Sequence, residues 1–111
     1  AVIVTTPQEV ALIDARKAVS MFAKVNVPIL GLVENMAYFR CPSDDTIYHI
    51  FGEGGGAQEA ERMKVPLLAQ LPIDIPTRAG GDSGHPVALD SDSAVGQEYR
   101  SIAQQLTSKL A

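Results

Sequence analysis

The stretch VPILGLVENM, residues 27–36, decides the fold, because it has an echo further on in VPLLAQLPID, residues 65–74. In the first, Ile29 to Val33 is apolar without alternation, the pattern of a strand covered on both faces in a parallel sheet. Each stretch follows a basic-ended helical segment, starts Val-Pro and turns polar at its carboxyl end. Upstream, AVIVTT (residues 1–6) is a third, β-branched strand. It stops at Thr6-Pro7-Gln8-Glu9, which has the form of a capping box with proline at the first helical position. The helix that follows carries Leu12, Ala15, Val19, Phe22 and Ala23 near one face and ends near Val25–Asn26. Residues 37–56 are less regular, with one short β-like run from Ile47 to Phe51, and a helix covers Ala57 to Lys64. Residues 72–93 read as a long Pro/Gly/Asp/Ser connection, whose length makes it a functional candidate. A closing helix, 94–110, aligns Val95, Tyr99, Ile102, Leu106 and Leu110. The alternation β-α-β-α-β-α predicts an α/β fold, a partial parallel sheet with flanking helices and right-handed crossovers.

The 111 residues suffice for one domain with a modest core. A net charge of -4 and a pI near 5.0, with the basic residues scattered, argue against a nucleic-acid or membrane-surface partner. One cysteine excludes an internal disulfide and fits a reducing compartment. No apolar run reaches the roughly 18 residues of a membrane span. The chain opens inside an apolar run without a methionine, so it is expected to be a piece of a longer protein.

Three places invite a chemical reading. The first is IFGEGGGAQEAERM, residues 50–63. A phosphate loop needs G-x-x-x-x-G-K-[ST], and Gly56 is followed instead by Ala57, Gln58 and Glu59. Gly52, Gly54 and Ala57 match the dinucleotide pattern G-x-G-x-x-A, with Asp74 further on. The preceding run is short and mixed, however, and Glu53 and Glu59 place negative charge where a pyrophosphate would sit. The favoured reading is a flexible helix entry where backbone comes close to something. The second place is the carboxyl edge of the strands, where open α/β sheets bind ligands: Thr5, Thr6, Glu34, Asn35 and Asp74. An asparagine amide both donates and accepts, and so can read an adenine edge; equally, Asn35 and Asp74 can be turn caps. The third is Cys41 with Asp44, Asp45 and His49 nearby, a thin donor set for a metal, against which stands an ordinary loop cysteine. His85 reads as a solvated loop histidine, and Tyr38, Phe39, Tyr48 and Phe51 as local packing.

Taken together, VIVTTPQEVALIDARKAVSMFAKVNVPILGLVENMAYFRCP, IFGEGGG, VPLLAQLPID and the pattern Arg78-x-x-x-Asp82-x-Gly84-x-Pro86-Val87 resemble the Mrp/ApbC family. These are P-loop ATPases that carry or scaffold iron–sulfur clusters, in the superfamily of MinD and the nitrogenase iron protein. The resemblance runs from Val2 to about Leu89, with the TPQ, ENM, CP, FG-x-GG and LP-x-D elements in the family's order.

The resemblance implies that residues 1–111 are the carboxyl-terminal part of a MinD-like P-loop ATPase domain. The family's phosphate loop and magnesium-coordinating acid lie upstream of TPQ and are absent from these residues, so the chain alone is expected to hydrolyse no ATP and to have no catalytic residue. ATP is the implied cofactor of the full-length protein, with Asn35, Pro72 and Asp74 on its adenine. The family has Cys-Pro-x-Cys where this chain reads Cys41-Pro42-Ser43-Asp44. Cys41 is then the one candidate metal ligand, and a dimer would offer two thiolates instead of the four of a bridging cluster. A carboxylate is poorly matched to iron–sulfur ligation. The implied partners are a second copy and iron–sulfur client proteins, with no nucleic acid and no membrane, in the cytoplasm or alternatively an organelle matrix. A second reading is a stand-alone, non-enzymatic α/β module that pairs with an ATPase half or with itself, the strands from Val2 and Ile29 being edges in search of a partner. A nicotinamide or flavin protein, through the G-x-G-x-x-A match, stands last.

Overall fold

The computed structural model describes all of residues 1–111. Strands β1 (Val2–Thr5), β2 (Gly31–Glu34) and β5 (Leu67–Gln70) form a parallel sheet in the order β1-β2-β5. Helix α1 (Glu9–Lys24) connects the first two, and helix α2 (Gly55–Met63) leads into the third. Between β2 and α2 the chain makes an excursion that contains a small antiparallel hairpin, β3 (Phe39–Arg40) with β4 (Ile47–Tyr48). Every residue of β2 is buried, as a central parallel strand requires. The strand from Val2 is an edge, but that from Ile29 is not: β2 is flanked on both sides, and the second edge is β5.

The sheet is covered on both faces. Alternation sends Ile3 and Leu32 to one side, where they meet Ala15 of α1 and Ala60 of α2, with Val19, Phe22 and Met63 around them. Val33 and Leu68 point the other way and pack, with Leu71, on Ile102 of α4 (Ala94–Leu110). Between β2 and β5 the register slips by one residue: Leu32 pairs with Leu67 but Val33 with Ala69. Gly31 makes room for the extra residue, since a Cβ there would stand 2.5 Å from Leu68 Cγ. No helix is long and apolar enough to cross a membrane.

Two local expectations fail, for physical reasons. The capping box at Thr6 does not form. Helix α1 begins at Glu9 with Gln8 as its cap residue, and Thr6 Oγ1 donates to Gln8 Oε1 instead of accepting a helix amide. Tertiary packing sets this loop: Pro7 is buried and its carbonyl lies where Gly55 of α2 approaches. Residues 72–93 are not an irregular connection either. They hold helix α3 (Ile75–Ser83) and a 3₁₀ turn, Val87–Leu89. Asp74 caps α3 by accepting from the Thr77 amide, Pro76 sits in the first turn, and Gly84 ends the helix in the left-handed region at φ 80°. The Gly80–Gly81 pair hides this helix from a composition-based reading. Within α1, Ala18 rather than Ala23 completes the inward face, and Leu110 of α4 is exposed.

Candidate functional site at the carboxyl edge of the sheet

The carboxyl ends of β2 and β5 stay zipped beyond the ladder. Leu71 N–H donates to Glu34 O (2.7 Å), Ala37 N–H to Leu71 O (2.9 Å), and Ile73 N–H to Tyr38 O (2.7 Å). Asn35 N–H donates to Thr5 O (2.7 Å), which ties the end of β1 into the same edge. Asn35 and Pro72 therefore lie on neighbouring strand continuations. They do not share a cavity. Pro72 and Asp74 line an open groove of about 470 Å³ with Tyr38, Phe39, Pro42 and Glu98. Asn35 opens onto a second groove along β1, beside Thr5, Thr6 and Met36.

Both candidate polar side chains are also caps. Asn35 Oδ1 accepts from the Met36 amide (2.8 Å), where Met36 turns the chain at φ 51°. Its carboxamide NH₂ stays uncommitted. Asp74 Oδ2 accepts from Thr77 N–H (3.0 Å) and Thr77 Oγ1 (2.6 Å), leaving Oδ1 for a ligand. The capping reading and the binding reading are thus compatible, one oxygen or one amide group serving each.

Cys41 is half-buried at the tip of the β3–β4 hairpin. Its amide donates to Thr46 O, and its carbonyl accepts from Asp45 N–H, both at 2.9 Å. Asp45 is left-handed at φ 61°. Asp44 accepts from the Thr46 amide (3.0 Å), and this bond, then the Thr46 and Cys41 side chains, hold its carboxyl below the usual range. Asp44 is thus an ionised oxygen donor beside the thiol. His49 is engaged elsewhere, with Nε2 3.5 Å from Glu53 Oε1, and no three of the His, Cys, Asp and Glu side chains converge as a metal cage.

The glycine-rich entry of α2 takes the side chain of Glu34. Glu34 Oε2 accepts from Gly56 N–H at 2.5 Å, and Oε1 accepts from Gln70 Nε2 at 3.0 Å. That occupancy removes the dinucleotide reading, as does the run before it, a two-residue hairpin strand outside the parallel sheet. Nor does Glu59 face this cradle. It is buried against α1, where its Oε1 accepts from Arg16 Nε (2.8 Å), Arg16 Nη2 and Arg62 Nη1 (2.9 Å). Its bond to Arg16 outweighs desolvation and lowers the Glu59 pKa, and that of Arg16 is raised in turn. The pattern Arg78-x-x-x-Asp82-x-Gly84-x-Pro86-Val87 resolves as a helix end: an Arg78–Asp82 pair at 3.0 Å, the left-handed Gly84, and the 3₁₀ turn starting at Val87. In the sequence Glu34 stands at a strand end with no role marked. The available signal was the pairing of a strand-end carboxylate with three glycines opening a helix.

Solved structures give the class of protein. The chain superposes over its whole length on the cell-division ATPase MinD of Pyrococcus furiosus, with a TM-score of 0.74 and 28% identity, covering 43% of that protein. A nucleotide-binding protein from Archaeoglobus fulgidus, solved in complex with ADP, matches 77% of the chain and 35% of its own length, with 38% identity and a TM-score of 0.67. The architecture is that of MinD-type P-loop ATPases.

Sequence comparison narrows this to a family. The ParA family model, described as NUBPL iron-transfer P-loop NTPase, matches residues 1–107. The iron-sulfur cluster carrier protein of Aquifex aeolicus is 49% identical over 108 residues, which are 96% of this chain and 30% of that protein. The chain belongs to this family of iron-transfer P-loop NTPases, the Mrp/ApbC type. It spans about a third of the length of the curated relatives it matches.

Proposed function

We propose that this chain is the carboxyl-terminal part of an ATP-binding iron–sulfur cluster carrier, to which it contributes the adenine side of the nucleotide site and the cysteine hairpin. The observation that carries this reading is the zipped edge of β2 and β5, which sets Asn35 and Pro72 on neighbouring strand continuations, with Asp74 two residues beyond Pro72, at the carboxyl ends of parallel strands. That edge is where open α/β sheets take ligands. The ADP-bound relative supports a nucleotide as the ligand. Asn35 keeps a free NH₂ to donate to a base nitrogen, Asp74 keeps one oxygen to accept from an exocyclic amine, and Pro72 supplies an apolar wall. The phosphates and their metal would be held by the part of the protein that precedes Ala1.

The cluster is cargo, not a resident group. Each chain brings one cysteine sulfur, Cys41, and an ionised carboxylate, Asp44. Two copies facing each other at the hairpins would offer two sulfurs and two oxygens, a donor set suited to a labile hold and quick release to client proteins. The hairpin is rich in exposed apolar surface, Ile47, Tyr48 and Ile50, which suits contact with a second copy. The activity belongs in a reducing compartment, cytoplasm or organelle matrix.

The experiment is anaerobic reconstitution of the intact protein with iron and sulfide, followed by iron counting and a visible spectrum. The native protein is expected to hold well under one four-iron cluster per dimer, and Cys41→Ala to hold none. Full loading of the native protein, or loading unaffected by Cys41→Ala, would remove the hairpin from the function.

A further inference from the structure

The buried carboxylate of Glu34 sits where an anion would bind. Glu34 ends β2, is 1% exposed, and leaves the sheet on the same side as Leu32, toward α2. There it accepts the amide of Gly56, one of the orphan donors of the first turn of α2. A negative charge at a helix amino terminus is favoured by the helix dipole. Gly56 is shaped to this occupant, since a Cβ there would overlap Glu34 Oε2, while Gly55 admits the Pro7 carbonyl, 2.7 Å from where its Cβ would stand. Gly54, at φ 82°, turns the chain into the helix. The other carboxylate oxygen holds Gln70, the last residue of β5, two positions before Pro72.

Glu34 and Gly56 also flank the segment 35–54, which carries Asn35 at one end and the Cys41 hairpin in its middle. A bond between them closes the base of that segment, and the Gln70 bond fixes the base to β5. We propose that Glu34 is a positioning residue. By filling the anion cradle of α2 it fixes the base of the segment that carries Asn35, on the strand continuation next to that of Pro72, and the hairpin beyond it. The part concerning Asn35 rests on the adenine-site reading above; the closure of the segment does not.

Glu34→Gln is the conservative control. With the Gln70 carboxamide turned over, the amide that this substitution introduces would still accept from Gly56 and donate to Gln70. Glu34→Ala removes both bonds, and Glu34→Asp, one methylene shorter, cannot span both partners. The test is carried out on the intact protein with two readouts. The first is hydrogen exchange of peptides covering 35–54, referenced to peptides from β1. The second is the ratio of ATP to GTP affinity, which a general loss of stability would leave unmoved. Glu34→Ala is expected to speed exchange of 35–54 about tenfold relative to β1 and to cut the ATP:GTP ratio about tenfold, the worth of one or two buried hydrogen bonds. Glu34→Asp should show about threefold in each, and carries the test alone if the alanine variant does not fold; Glu34→Gln should stay within about twofold of native.

Native exchange rates for 35–54 in Glu34→Asp or Glu34→Ala overturn the proposal whatever binds at the edge. Faster exchange with an unchanged ATP preference overturns the positioning of Asn35. A native protein that prefers neither nucleotide refutes the adenine reading and with it the Asn35 part, while the exchange readout still decides the closure.

Discussion

The parallel ladder and the 35–54 excursion meet at Glu34 and are built by opposite rules. In the ladder Leu32 is 0% exposed and β2 touches packed side chains on both faces. In the excursion residues 42–50 are all exposed, the hairpin strands are two residues long, and Met36, Asp45, Gly52 and Gly54 have positive φ. Stability therefore resides in the ladder, whereas the one thiol and the free amide of the candidate site are carried by the excursion. A segment with few buried apolar contacts opens at low free energy, which suits a place where cargo is taken up and let go.

The sharpest way to break this contrast is to truncate one apolar side chain in each region. Leu32→Ala should cost about 2–5 kcal/mol in urea unfolding, and Ile47→Ala in the hairpin under about 0.5 kcal/mol. Equal costs would mean that the excursion is part of the core. Next in size is Gly31→Ala, whose methyl would meet Leu68 at the register slip; it should cost about 1–3 kcal/mol by overpacking. A smaller effect is expected at the α3 cap, where Asp74→Ala should lose about 1 kcal/mol and Asp74→Asn much less. Asp74→Asn is accordingly the variant in which to read ligand effects free of stability effects.

Acid provides a finer comparison. Glu59 has a folded pKa below its ordinary 4.5, so its contribution is present above that value and is lost as pH falls through the lower folded pKa. The sign follows from proton binding: in that window the unfolded chain binds more protons than the folded one. The stability gap between the native chain and Glu59→Gln, measured by urea unfolding across pH 3 to 6 (about the range in which carboxylates titrate), should close toward the acid end. A gap that stays constant would show that the Arg16–Glu59 pair contributes nothing through charge.

Legibility in the sequence follows the same division. The strands could be read because burial on both faces leaves unbroken apolar runs, and α1 and α4 because an amphipathic period survives in them. Helix α3 could not, since its start depends on a cap and its middle on two glycines that helical propensity disfavours. At the site, Asn35 and Asp74 are legible from their place at strand ends, and Pro72 only through the resemblance to the family. That two of them line one groove and the third another depends on how the excursion folds back, and no periodicity records that. The glycine stretch was legible as a close approach of backbone, but its occupant was not: the Glu34–Gly56 bond spans 22 positions and is set by tertiary structure.

The adenine side of the edge is tested most directly by ATP binding to the intact protein in titration calorimetry, native against Asn35→Ala. An affinity about tenfold weaker is expected in the variant, the worth of one lost hydrogen bond of about 1.4 kcal/mol, at a nearly unchanged melting temperature. Equal affinity for the two proteins would contradict the adenine reading and leave Asn35 as a turn cap alone.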